Sequence, residues 1–334
     1  MVRAAVRAPG CTPPHWVNRA SIATMSRLTF VPFAETHIAG AARLLAERHA
    51  AHRLLEPLLP QVSDFGRQVA NEFEDATGAA AILGGEVAGY LIGKRREDEI
   101  GPHVWSGLAG HAARDPELVR DLYAKAASAW VDAGLTRHFV FAPSSPELLG
   151  PWFRLTFGVS GALAIRQTSA DGGDRSPVDV RVRLSTPADL PDVARLAAVL
   201  ETELNASPSF AGLPVLSEQQ QLEEWSDTWT DDRFVHFVAE RDGRVVGHTL
   251  LYHRPAGDLR VPENSIDLGN AASQPAVRGS GVGLAMTTHV LAWAREQGYS
   301  TMTTDWRMSN LSASRFWPRR GFREAFLRLY RSLP

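Results

Sequence analysis

The chain has a single cysteine, Cys11, among its 334 residues. An internal disulfide, an iron–sulfur cluster and a zinc–thiolate site are therefore excluded. No stretch approaches the ~18–20 consecutive apolar residues of a membrane span, so no membrane partner is expected. Lysine is nearly absent: Lys94 and Lys125 are the only two, and the remaining positive charge is arginine. Nor does one sign of charge dominate. The formal net charge is −2, which removes the bulk electrostatic argument for nucleic acid or an anionic membrane as partner. Residues 1–24 contain no acid and no continuous apolar stretch of the secretory kind, so a cytoplasmic protein with a disordered N-terminal extension is expected. What remains is ordinary globular material, 44% hydrophobic and 22% charged. Its length exceeds what one core usually organises, which points to two domains.

The clearest division is the polar Gly/Ser/Pro stretch 168–179, which reads as a linker between domains at 25–167 and 180–334. Both flanks then open alike. Leu28–Phe33 and Val180–Leu184 are short strands, each followed by a helix carrying Ala-Arg-Leu, at Ala42 and Ala194. Two hairpins follow, turning at Gly84-Gly85 and Asp242-Gly243, and later two helices end at Gly134 and Gly298. The offsets grow slowly, 152, 158 and then 164 residues, as in an internal duplication with loop insertions. Each half reads strand, helix, hairpin, strand, helix, strand, helix, strand. The expected fold class is mixed α/β, each half a mostly antiparallel twisted sheet flanked by helices.

In the second half, a strand from Ile266 to about Ser273 is stopped by Pro275, and Arg278-Gly-Ser-Gly-Val-Gly283 feeds directly into a helix from Leu284. Glycines let the backbone approach an anion closely, and the unpaired N–H groups of a helix start point toward it. A diphosphate is the expected guest. The loop lacks the Lys-Ser/Thr tail of a P-loop, and it follows the fourth strand of its half, where a dinucleotide fold would place it after the first.

The spacing Arg-x-x-Gly-x-Gly, with Pro275 leading to Arg278, resembles the GNAT superfamily of acyl-CoA-dependent N-acetyltransferases. So does the closing segment, with Asn310, Ala313, Phe316, Gly321 and Phe322 at that family's spacings. The resemblance implies two tandem GNAT-like domains and N-acetyl transfer from acetyl-CoA to a primary amine of a small molecule, with no metal. It implies that the backbone of Arg278, Gly279, Ser280, Gly281, Val282, Gly283 and Leu284 cradles the pyrophosphate. Ala271, Ala272 and Ser273 would pair with the pantetheine arm, and Asn310 would hydrogen-bond at the splay between the fourth and fifth strands. The tandem arrangement with a degenerate first copy is similar to mycothiol synthase and several antibiotic-modifying acetyltransferases, so an enzyme of either kind is a further alternative. A non-catalytic acyl-CoA-binding or sensing protein is the alternative, as either monomer or homodimer.

Two departures from the family pattern bear on chemistry. Trp317 stands where the family has the Tyr that protonates the leaving thiolate, and an indole N–H is no acid at neutral pH. Ser314, one helical turn earlier, is the nearest replacement, with Tyr330 more distant; the bland reading of Ser314 is a locally bonded helix-start hydroxyl. Asp267 on the fourth strand is the candidate base, or else a hydrogen-bonded strand residue. In the first half the cradle positions become Arg114-Asp-Pro-Glu117 and Val119, placing a carboxylate and a β-branched residue where glycines would be needed. That half reads as a copy that kept its fold and lost the loop. Trp225 and Trp229 form either an acceptor site or a helix face, and His49 and His52 lack a third metal ligand.

Overall fold

A computed structural model describes residues 27–98, 100–168, 179–255 and 257–334. The N-terminal extension and residues 169–178 of the expected linker lie outside the described residues. The first half runs β1 (Thr29–Pro32), α1 (Ile38–Leu55), α2 (Phe65–Phe73), β2 (Ala76–Leu83), β3 (Glu86–Asp98), β4 (Gly101–Ser106), β5 (His111–Ala113), α3 (Leu118–Asp132), β6 (Arg137–Pro143), α4 (Pro146–Arg154) and β7 (Gly158–Gln167). The second repeats this order: β8 (Arg181–Leu184), α5 (Leu190–Asn205), α6 (Glu218–Trp229), β9 (Phe234–Arg241), β10 (Arg244–Tyr252), β11 (Ser265–Ser273), α7 (Val282–Glu296), β12 (Thr301–Arg307), α8 (Leu311–Phe316) and β13 (Arg323–Ser332). The hairpins turn where the sequence places them. Gly84 and Gly85 have φ of 61° and 84°, and Asp242 and Gly243 have 51° and 72°, the doubly left-handed turn that suits strand twist.

The strands join one 13-stranded sheet in the order β1-β2-β3-β4-β6-β13-β7-β12-β11-β10-β9-β8, with β5 paired to β3. Neighbours are antiparallel except β4–β6 and β11–β12, the parallel pair of each half. The last strand of each half is exchanged. β13 inserts between β6 and β7, and β7 lies between β13 and β12, so each half donates its closing strand to the other's sheet.

Helices cover the sheet in two layers. On one face α3 and α7 bury Leu122, Trp130, Val290 and Ala294 against Leu251, Met302 and Trp306. On the other, α1 and α2 bury Leu45 and Val69 against Tyr90 and Ile92, while α5 and α6 bury Leu196 and Trp225 against Val238 and Leu250. Strand alternation sends successive side chains to opposite layers, which fixes what each face of the shared centre can display.

Candidate active site

The parallel pair of the second half does not stay together. β11 and β12 are in register from Ser265↔Thr301 to Leu268↔Thr304 and then part. The cause is a bulge. Opposite β10, Leu250 faces Asn270 but Leu251 faces Leu268, so Gly269 is the extra residue and bends β11 away. Beyond it, Ala271, Ala272 and Ser273 pair only with Thr249, His248 and Gly247 of β10. Their backbone edge toward β12 is left without a strand partner, the arrangement to which an extended amide-bearing chain can add.

The cradle sits at the end of this arm. Gly279 and Gly281 hold φ of 73° and 93°, left-handed values costly for other residues, and the space around Gly279 is open. Gly281 is the N-cap of α7 and makes no side-chain cap bond. Among the described residues, the N–H groups of Gly279, Gly281, Val282, Gly283 and Leu284 have no backbone acceptor, whereas that of Ser280 bonds the Val277 carbonyl at 3.2 Å. A Cβ on Gly283 would lie 3.2 Å from the Phe316 ring, so α8 packs directly beside the cradle. Arg278 turns outward to an ion pair with Glu203 on α5. This donor set fits a diphosphate: convergent N–H groups, a helix N-terminus and no carboxylate pointing in.

The other sequence candidates fall in distinct places. Asn310 caps α8, its Oδ1 accepting from the Ala313 N–H at 3.1 Å. Ser314 is half-buried on α8, its amide bonded to the Asn310 carbonyl. Trp317 is buried edge-on to Phe316 and Phe322 and belongs to the core. Tyr330 lies on β13 against Phe139 of β6, in a part of the sheet separate from the cradle. Trp225 is buried and Trp229 stacks on His236 at 3.8 Å, so this pair is a helix face. His49 bonds the Pro60 carbonyl and His52 packs on Phe326; no group of metal-binding side chains occurs among the described residues.

Asp267 is 3% exposed, and both oxygens are engaged, one by Arg254 at 2.7 Å and the other by the Thr303 hydroxyl. A carboxylate so held is a structural anchor for the paired end of β11 and β12, which is the bonded-strand alternative. Asp305, which the sequence reading passed over, lies two residues past Thr303 on the same face, just beyond the last β11–β12 pair. Its side chain is 50% exposed at the mouth of the splay. Burial and then the neighbouring Asp267 raise its pKa, against the opposing pull of Arg260, Arg254 and Arg328. The signal was present, a lone carboxylate within Thr-Met-Thr-Thr-Asp-Trp, but nothing in the sequence showed which strand residues flank the gap.

In the first half the same gap is closed. β4 and β6 pair from Val104↔His138 to Ser106↔Val140, and residues 107–110 then loop out before β5. Tyr90 donates to the Ala109 carbonyl at 2.8 Å, Glu72 accepts from the Gly107 N–H at 2.6 Å, and the half-buried Arg48 donates to the carbonyls of Leu108 and His111. Register makes His111 the counterpart of Ala271, since Gly89 faces Ala113 as Gly247 faces Ser273. The His111 imidazole crosses the gap and bonds the Phe141 carbonyl of β6 at 2.9 Å. Burial pushes its pKa down to about 3, so the ring is neutral and Nε2–H donates. The helix start is also self-satisfied: the Glu117 N–H bonds the Asp115 side chain, and those of Leu118 and Val119 bond the carbonyls of Asp115 and Pro116.

Comparison with known proteins follows the same division. Residues 200–322, from α5 to the end of the closing motif, match the Acetyltransferase (GNAT) family. Uncharacterized N-acetyltransferases of Mycobacterium tuberculosis and Mycobacterium bovis are 28% identical over 102 residues, 30% of this chain; the matched stretch spans 61% of those relatives' length. A GCN5-related N-acetyltransferase from Sphaerobacter thermophilus superposes on 91% of this chain and 95% of its own with a TM-score of 0.56 at 14% identity. A GCN5-related glucosamine N-acetyltransferase region of a fungal multi-domain β-N-acetylglucosaminidase gives 0.53 at 11% identity, covering 91% of this chain and 38% of that one. These structural likenesses speak to the fold alone. Taken with the sequence match over residues 200–322, the half that keeps an open splay and a glycine cradle, they show that this half is similar to the GNAT family and that the chain carries that fold in two tandem copies.

Proposed function

We propose that the second half transfers an acetyl group from acetyl-CoA to a primary amine of a small molecule by direct attack, while the first half binds no cofactor. One contrast carries this reading: the β11–β12 gap is open beside a cradle of free N–H groups, and its counterpart is bridged by His111 and plugged by residues 107–110. The backbone of residues 279–284 would hold the diphosphate, and the Ala271–Ser273 arm would hold the pantetheine chain. Acetyl-CoA supplies an acyl group already activated as a thioester. At this site Asp305 takes the proton of the attacking ammonium, and N–H groups of the β11 arm stabilise the oxyanion. A C–N bond forms, the C–S bond breaks, and the thiolate can depart without a dedicated acid because a thiol pKa near ~8.5 makes it a tolerable leaving group. With Trp317 buried, no acid is assigned at its position.

Calorimetric titration of acetyl-CoA, followed by thiol release with a panel of amines, tests the reading. One site per chain and acceleration by at least one amine are expected. Binding without acceleration by any amine would leave a non-catalytic acyl-CoA binder.

Asp305→Asn is expected to lower turnover by about a hundredfold or more, the usual contribution of a general base, with acetyl-CoA affinity unchanged. The pH profile gives a sharper readout. Asp305 serves as base only when ionised and its pKa is raised, so wild-type activity climbs with pH through a limb lying above the ordinary carboxylate range. That limb should vanish in the variant. Equal turnover at every pH would remove Asp305 from the mechanism.

A further inference from the structure

We infer that the acceptor is an amine that also carries an anionic group, a carboxylate or a phosphate, received by Arg307 and Arg328 while Asp305 takes the amine. This deepens the acyltransferase reading and rests on it. Arg307 of β12 faces Gly161 of β7, and Gly161 in turn faces Arg328 of β13. Register partners share a face, so the two arginines flank a bare glycine across three adjacent strands. Trp306 points into the same buried cluster as Val290 and Ala294 of α7, which sends Arg307 and Asp305 to the opposite face. The cradle belongs to the N-terminus of α7, on the other layer, so these arginines are not part of it.

Gly161 gives the site its depth. A Cβ there would stand 3.2 Å from Nη2 and 3.3 Å from Nε of Arg328, so the guanidinium lies down over the strand where any side chain would lift it. Burial lowers the Arg328 pKa, the neighbouring charge of Arg307 lowers it further, and Asp305 opposes both. The Arg328 contact is neutral, Nε donating to the Ser160 hydroxyl at 3.2 Å. Half-buried Arg183 and Arg254 are matched by carboxylates, Arg183 with Asp189 and Glu240, Arg254 with Asp267, and half-buried Arg48 and buried Arg166 by backbone carbonyls. Among the described residues, neither Arg307 nor Arg328 forms an ion pair with a carboxylate. Two like charges, partly desolvated and unmatched by protein, make a cationic site suited to an anion.

Spacing sets the ligand class. Asp305 and Arg307 are two residues apart on one face, about 7 Å along the strand, and two strand spacings put the Arg307 and Arg328 backbones about 10 Å apart. Both long side chains can therefore converge above Gly161, with the amine-accepting carboxylate a few bonds to one side. A neutral alkylamine would leave the arginines unused, and a dianion without an amine would leave Asp305 opposed by its charge.

The test is thiol release from acetyl-CoA with matched pairs: α-, β- and γ-amino acids against alkylamines of equal length, and 2-aminoethyl phosphate against ethanolamine. The anionic member of a pair should show a kcat/KM at least tenfold higher, and the two families of pairs separate carboxylate from phosphate. Arg307→Gln and Arg328→Gln should erase that preference by raising KM for the anionic amine, bringing the kcat/KM ratio within each pair close to one. Arg328→Lys should restore part of it. Calorimetric affinity for acetyl-CoA should hold throughout, and Arg307→Gln carries the test if Arg328→Gln does not fold. Neutral amines used as well as anionic ones, or variants that slow both alike, would overturn the acceptor assignment and leave the acyltransferase reading standing. Cofactor binding without acceleration by any amine would overturn both.

Discussion

A chain carrying Gly281→Glu is expected to bind acetyl-CoA at least a hundredfold more weakly than wild type, while Gly298→Glu binds it normally. Both glycines are left-handed, with φ of 93° and 88°, so both substitutions add a similar backbone strain, about 1–2 kcal/mol. They sit at opposite ends of α7. At the N-terminal end the new carboxylate stands among the free N–H groups of the cradle. Two diphosphate charges about 5 Å away repel it by roughly 3 kcal/mol at an effective dielectric of ~40, which corresponds to about a hundredfold. At the C-terminal end it meets no ligand. Calorimetric titration of both variants, with thermal melts to show equal strain, separates a damaged cradle from a damaged helix. If Gly281→Glu retained wild-type affinity, the cofactor would not be held at this loop. The first half already carries Glu117 at the matching position, which is why a single site per chain is expected.

The sequence exposed the parts of the fold whose physics is local. Left-handed turns advertise themselves as Gly84-Gly85 and Asp242-Gly243, helix stops as Gly134 and Gly298, and an anion cradle as glycines running into a helix start. Each needs only the conformational freedom of a few adjacent residues. The proposed base did not emerge from the sequence because its choice depends on which strands adjoin. Asp267 and Asp305 look equivalent in sequence, each a carboxylate within a strand. Pairing decides between them: Asp267 lies where β11 and β12 still touch and is consumed by Arg254 and Thr303, whereas Asp305 lies just past their separation. Likewise His111 gives no hint of its role until register sets it opposite β6. Arg307 and Arg328 are more than twenty residues apart and meet only because both face Gly161, a residue of the other half.

The exchange of closing strands leads to the second large effect. If the chain is cut within 169–178 and the fragments are produced separately, neither 1–168 nor 179–334 should fold. Produced together, they should associate and melt as one unit. In isolation the first fragment lacks β13 on β6 and the second lacks β7 on β12, and each keeps a closing strand with no sheet to enter. From β13 alone the first half would lose Phe326, Leu327 and Leu329, which are 1%, 7% and 0% exposed. Three such side chains represent roughly 5–9 kcal/mol of burial, comparable with the whole ~5–15 kcal/mol stability of a domain. The open edges would add an aggregation hazard, since each presents a full row of unpaired backbone groups. Circular dichroism melts and size-exclusion profiles of the separate and paired fragments decide the matter. Two fragments that fold singly and elute apart would mean that each closing strand can return to its own half. Co-elution with one melting transition would mean that the first half is retained because the second cannot close its sheet without it. Arg307 and Arg328 could then face one another only across a strand that the first half provides.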